Sequence, residues 1–153
     1  EIYTGVSSAA SDVYKRQYLE LSSLDLAYRA IQQALRLDPN NAFFLNNRGF
    51  TYLEMDSIAL ALIDINQSIV LTPDNPWSYR NKGYYYYKMG DFTQAIRYLK
   101  QSLEMDENVK EAHLMLGMTY LSDGQSGMAC QAWQIAMDVG NEKAQAYLND
   151  HCN

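Results

Sequence analysis

The sequence predicts an all-α chain, an α-solenoid of stacked antiparallel helix pairs, and three observations carry that expectation. Tyr18, Tyr52, Tyr86 and Tyr120 stand 34 residues apart, as do Ala27, Ala61, Ala95 and Ala129. Each cycle holds two stretches in which apolar residues recur at helical spacing. Pro39 and Pro73 recur in the same phase, where a proline stops the second stretch. A fixed period of this length means stacked supersecondary units, none of which buries its apolar face alone.

The cycles are read at about 8–41, 42–75, 76–109 and 110–140, with a closing helix at 141–151. In the second cycle AFFLNNRGFTYLEMD reads as helix A, and SIALALIDINQSIVLTPDN as helix B with Ile58, Leu62, Ile65 and Ile69 on one stripe. Met55-Asp56-Ser57 supplies the break between them. In the third cycle Met89-Gly90-Asp91 sits there, with glycine just past one helix and aspartate capping the next. Pro76 suits a first helical turn, with Asp74 or Asn75 as its cap.

Gly49, Gly83 and Gly117 fall in mid-helix A, where glycine costs roughly 1 kcal/mol of propensity. A close approach to the recurring alanines of helix B is therefore expected, with the tyrosine one turn later filling the space beside it. Ile31, Ile65, Leu99 and Trp133 share one phase and Leu35, Ile69, Leu103 and Met137 another, both expected to join repeat to repeat. Ala144, Tyr147, Leu148 and Cys152 form an apolar stripe on the closing helix, which should cover the open end of the stack.

The recurring apolar residue, Gly, Tyr, Ala and Pro resemble the tetratricopeptide repeat family over about Tyr18 to Val139. Arg48 and Lys82 depart from it, standing where the family usually has Leu, so their stems should pack and their charges snorkel. Glu107 replaces the stopping proline of the third cycle, and Ser68 and Ser102 the last alanine. The resemblance implies a non-catalytic protein–protein interaction module whose A helices line a concave groove.

Helical angles bring Phe43, Asn46, Phe50 and Leu53 into that groove, then Trp77, Arg80, Tyr84 and Tyr87, then Glu111, Leu114, Met118 and Leu121, with Asn47 and Asn81 flanking it. Rings offer anchors and amides pair with a backbone, so the partner is read as another protein or an extended peptide. The alternative is that the rings pack between neighbouring A helices. Within Tyr84-Tyr85-Tyr86-Tyr87, Tyr84 and Tyr87 share the groove face, Tyr86 is expected in the core, and Tyr85 at a packing position.

Some family members clamp a carboxylate terminus, but Asn46, Phe50, Asn81, Glu111 and Met115 stand at the clamp positions, and only Asn81 matches. Asn47 and Asn81 look more like the asparagine ladder with which other members hold a peptide backbone. Two further readings stay open: a repeat fragment of a larger protein with an enzymatic or sensory domain upstream, and a purely architectural spacer.

The net charge of −6, without a run of Lys or Arg, disfavours a nucleic-acid or anionic-membrane surface. No apolar stretch approaches the 18 residues of a spanning helix. Nothing calls for a cofactor or for catalysis. Gly-rich phosphate loops, HExxH and CxxC are missing, and GQSG at 124–127 lacks the spacing of a nucleophile elbow. His113 reads as a structural histidine and His151 as a solvated one. A metal site on Cys130, His151 and Cys152 would lack a fourth ligand. Cys130 and Cys152 stand level across the hairpin of the last B helix and the closing helix, so a disulfide is geometrically reasonable, beside the alternative of two thiols. A bridge would imply an oxidising envelope or secreted location, and free thiols the cytosol.

Ser7–Gln17, SSAASDVYKRQ, resembles the in-frame translation of a transposon adapter used to prepare DNA for sequencing, and Glu1–Thr4 fits the neighbouring primer. Residues 1–17 are therefore expected to be foreign to the native protein and dispensable for folding.

Overall fold

The computed structural model describes the backbone of residues 8–152 and the side chains of residues 23–152. Eight helices follow one another among the described residues: α1 (Ser8–Leu37), α2 (Ala42–Glu54), α3 (Ile58–Leu71), α4 (Pro76–Lys88), α5 (Phe92–Met105), α6 (Lys110–Ser122), α7 (Ser126–Asp138) and α8 (Ala144–His151). α2 and α3, α4 and α5, and α6 and α7 pack as hairpins, with α8 laid on α7. The result is the all-α solenoid that the period predicts.

Each hairpin turns on one residue in the left-handed region, at Asp56 (φ 59°), Gly90 (φ 75°) and Gly124 (φ 78°), one period apart. Glycine adopts that conformation without a Cβ clash, and aspartate tolerates it. The first cycle has Ser22 at this register, and α1 runs through it unbroken. The hairpin expected at 8–41 is thus a single helix. Residues 1–7 of the adapter reading lie outside the described residues, and for 8–17 only the backbone is described.

Side chains hold the helix starts. Asn41 Oδ1 accepts from the Phe44 N–H at 3.2 Å, Asn75 Oδ1 from Trp77 at 3.1 Å, and Asp91 Oδ1 from Gln94 at 3.0 Å. Asn75 is therefore the cap ahead of Pro76.

The mid-helix glycines face a different neighbour from the one expected. A Cβ at Gly83 would lie 2.6 Å from Leu99 Cγ, and one at Gly49 2.7 Å from Ile65 Cγ1 and 3.3 Å from the Ala61 carbonyl oxygen. At Gly117 it would run into the Trp133 indole. Glycine makes room for the large B-helix residue, while Ala61, Ala95 and Ala129 fill the remaining fully buried places. Tyr86 is half-buried and not in the core: its ring lies flat on Tyr98, centroids 5.3 Å apart, with Tyr85 edge-on behind it at 5.1 Å.

Arg48 and Lys82 do not snorkel. Arg48 grips the buried Asp64 carboxylate with two hydrogen bonds, 2.5 and 2.8 Å, and reaches Gln32 at 3.3 Å. One period later Lys82 Nζ sits 4.8 Å from the ring of Tyr98, the counterpart of Asp64. A forked ion pair in one repeat becomes a cation–π contact in the next. Ser68 Oγ and Ser78 Oγ are 2.8 Å apart, which fastens α3 to the first helix of the next repeat, and Ser102 Oγ donates to the Pro76 carbonyl at 2.8 Å, which fastens α5 to α4 of its own repeat.

At the far end Trp133 is fully buried, donates Nε1–H to the Leu114 carbonyl at 3.2 Å and stacks on Tyr147 of α8 at 5.0 Å. Cys130 and Cys152 have Cα atoms 5.7 Å apart and form a disulfide in the structure. His113 Nε2 pairs with the Glu107 carbonyl oxygen at 2.9 Å, the structural part read for it. His151 is exposed, its ring 5.7 Å from that of Trp133.

Candidate functional site

α2, α4 and α6 line the inner face of the stack, and the start of α4 defines its most open part. Asn75 caps α4 and Pro76 fixes its first turn, which sets Trp77 across from Phe43 at the start of α2. Both rings are solvent-facing, Phe43 at 63% and Trp77 at 41% exposure. Between them lies a cleft of about 250 Å³ lined by Phe43, Asn46, Asn47, Asn75, Trp77 and Arg80.

Arg80 forms the wall of this cleft. Its guanidinium carbon stands 5.2 Å from the centroids of both Phe50 and Trp77. Nε and one Nη donate to Asn81 Oδ1 at 3.0 and 2.7 Å, and the other Nη is 3.6 Å from the Glu111 carboxylate. Burial pushes its pKa down, and the Glu111 charge acts in the opposite direction. Ring faces, an amide and a carboxylate thus occupy most of its capacity.

Four expected groove residues turn inward, the first of them Leu53, which is fully buried in a core cluster with Ala61 and Ile65. Asn81 is fully buried, and its Nδ2 donates to Asn46 Oδ1 at 2.8 Å and to the Asn46 carbonyl oxygen at 3.3 Å. With its Oδ1 taken by Arg80, it is no free rung for a peptide backbone. Asn46 is 3% exposed and shows the cleft little more than an edge. Leu114 is buried as well, since it packs in the core cluster around Trp133. Asn47 and Met118 are half-buried.

Deeper along the inner face a run of rings crosses from α2 to α5. Phe50 and Tyr84 are 6.1 Å apart, Tyr84 and Tyr87 stack at 6.2 Å, and Tyr87 meets Phe92 at 6.1 Å. The shared face of Tyr84 and Tyr87 follows from their helical spacing. Burial, and then the hydrogen bond to Glu54, push the Tyr84 phenol well above its ordinary value. Tyr84 also packs on the Leu53–Ile65 cluster, so it serves the fold as much as the face. Asn75, Phe92 and Glu54 were not legible as site residues. Asn75 carried only a capping signal, and the other two lie outside the A-helix phases that mark the groove.

No helix among the described residues is long and apolar enough to cross a membrane. A comparison with curated proteins gave no match. Two family models of the tetratricopeptide repeat match the chain, one at residues 76–109 and one at 30–62. Among solved structures it superposes on a chain of the APC/C hetero-tetramer Cut9–Hcn1 with a TM-score of 0.73 and 20% identity, over 90% of this chain and 28% of that one. TTC0263, a thermophilic TPR protein of Thermus thermophilus, gives 0.72 and 21%, over 82% and 70%. The first TPR of Spaghetti (RPAP3), bound to the HSP90 peptide SRMEEVD, gives 0.66 and 16%, over 71% and 90%. At these identities the likeness is one of fold, and the present chain spans little more than a quarter of the first of these. The 34-residue period, the glycine-to-B-helix contacts and the two family matches agree: the chain carries tetratricopeptide repeats, matched at residues 30–62 and 76–109.

Proposed function

We propose that the protein holds an extended segment of another protein against its concave face, with Phe43 and Trp77 as anchors and Asn47 as a partner for the segment's backbone. The fold is that of a protein-interaction scaffold, and this reading assigns the contact to one place on it. The observation that carries it is the pair of exposed rings facing each other across a cleft with amide groups between them. Monomeric surfaces rarely leave two large rings open together without a use for them. The Spaghetti repeat was solved with a peptide, but Phe50, Glu111 and Met115 stand at the carboxylate-clamp positions here, so a free C-terminus is not the feature recognised. Arg80 is already faced by Glu111, and a neutral segment with apolar or aromatic side chains fits best.

The test is selection of peptides from a displayed random library, followed by titration against variants. Phe43→Ala with Trp77→Ala should leave the helical signal and unfolding midpoint unchanged and weaken the selected peptides by about 2 kcal/mol or more. Phe50→Ala with Tyr84→Ala should lower stability too, since Tyr84 packs on the core cluster. Selected peptides that bind the Phe43/Trp77 double variant as tightly as the native chain would overturn the reading.

A further inference from the structure

The B helices α1, α3, α5 and α7 form the outer side of the stack, and their solvent-facing positions repeat with the same period. On α1 those positions hold Leu26, Arg29, Gln33 and Arg36, and on α5 they hold Gln94, Arg97, Gln101 and Glu104. Most of these residues suit a hydrated surface, although Leu26 is 66% exposed, and on α7 two apolar residues, Met128 and Ile135, stand at these positions, 40% and 44% exposed. On α3 the same positions hold Leu60, Ile63, Gln67 and Val70, and the three apolar ones are 50%, 64% and 74% exposed. Leu71 adds to the strip at 40%.

The fold does not need this strip. Ala61 and Ile65 are the residues α3 turns into the core, and both are fully buried. The spacing of 3, 4 and 3 along Leu60, Ile63, Gln67 and Val70 is that of a seam against another helix, with one polar position. Basic residues outnumber acidic ones around it, three arginines against Asp25 and Glu104. Arg29 and Arg97 occupy the register of Ile63 on either side, and Arg36 that of Val70. Arg29 pairs with the half-exposed Asp25 at 3.0 Å, and Arg97 hydrogen-bonds the neutral Gln94 at 3.3 Å. Arg29 and Arg36 also line a shallow concavity of about 440 Å³ on α1. Glu104 is the acid on the Val70 row. Three exposed arginines beside one apolar strip stand out on a chain of net charge −6.

We infer that the outer face of α3 docks an acidic amphipathic helix of a partner protein, its apolar residues on Leu60, Ile63 and Val70 and its carboxylates reaching Arg29, Arg36 and Arg97. Helix-in-groove recognition combines such anchors with flanking charge, and the arginines select the sign of that charge. This site is separate from the concave face and does not depend on it.

Two synthetic helices of about 15 residues test it: one with Leu at the seam spacing and Glu beside it, the other identical but with Lys in place of Glu. Fluorescence anisotropy of the labelled peptides should show the Glu peptide bound, more weakly as salt rises, and the Lys peptide weaker by about tenfold or more. Ile63→Glu should abolish binding of the Glu peptide, and Arg97→Glu should reverse the preference between the two. Both positions are exposed, so circular dichroism should be unchanged, and Trp77→Ala should leave the affinity unchanged. Equal binding of the two peptides, or indifference to both Ile63→Glu and Arg97→Glu, overturns the inference. So does concentration-dependent dimerisation lost in Ile63→Glu without peptide binding, which would make the occupant a second copy. Sedimentation with anionic vesicles, without binding of the Glu peptide, would make it a lipid surface.

Discussion

Trp133→Ala is expected to destabilise the protein by about 4 kcal/mol, near the upper end for removing a buried aromatic side chain. The indole fills the space left by Gly117, stacks on Tyr147 and donates to the Leu114 carbonyl, so three elements lose contacts together. Those elements are α6, α7 and α8, and the indole is the side chain on which they meet. Urea unfolding followed by circular dichroism measures the loss. Trp133→Phe separates the contributions: it keeps most of the packing but removes the indole N–H from the Leu114 carbonyl, which retains its place in the helix, and should cost about 1 kcal/mol for the hydrogen bond. A loss below about 1 kcal/mol for the alanine variant would mean that this junction repacks freely.

Reduction of the Cys130–Cys152 bridge is expected to cost about 3 kcal/mol, as loop closure over a separation of 22 residues implies. The Cα separation of 5.7 Å falls within the span a disulfide requires. Unfolding with and without reductant, and of the Cys130→Ser variant, should give the same midpoint for the reduced and substituted forms. Thiol titration of the unreduced native protein should find no free thiol. Two free thiols there would return both cysteines to the role of small packing residues. A persistent bridge places the protein in an oxidising compartment.

Much of the fold was legible because a solenoid writes its contacts locally and repeats them. The shared phase of Ile65, Leu99 and Trp133 was legible, but not that the helix A glycines receive these large side chains and not the alanines. Even the level placement of Cys130 and Cys152 follows from counting outward from the turn at Gly140-Asn141. What the period conceals is how like positions differ. Arg48 and Lys82 share a phase, yet one meets Asp64 and the other Tyr98, because the partner 16 residues on varies freely. Asn47 and Asn81 share another, but Asn81 has Asn46 of the preceding repeat within reach and turns into the stack. The first cycle breaks the pattern at one residue, Ser22, where the others place a left-handed turn. Side-chain direction depends on neighbours across repeats, and a one-dimensional pattern does not carry them.

The two ends of the stack are held very differently. At one end a covalent clasp, a stacked Trp–Tyr pair and a whole helix close the array. At the other, among the described residues, α1 has no hairpin partner of its own, and Ala27 is exposed where Ala61, Ala95 and Ala129 are fully buried. In a linear array each segment is stabilised by its immediate neighbours, so melting starts where the neighbours are fewest. Amide hydrogen exchange should therefore be graded along the chain, fastest in α1 and slowest in α6 and α7. A slope of that sign makes the molecule a polar filament in miniature, with one end that breathes and one that does not.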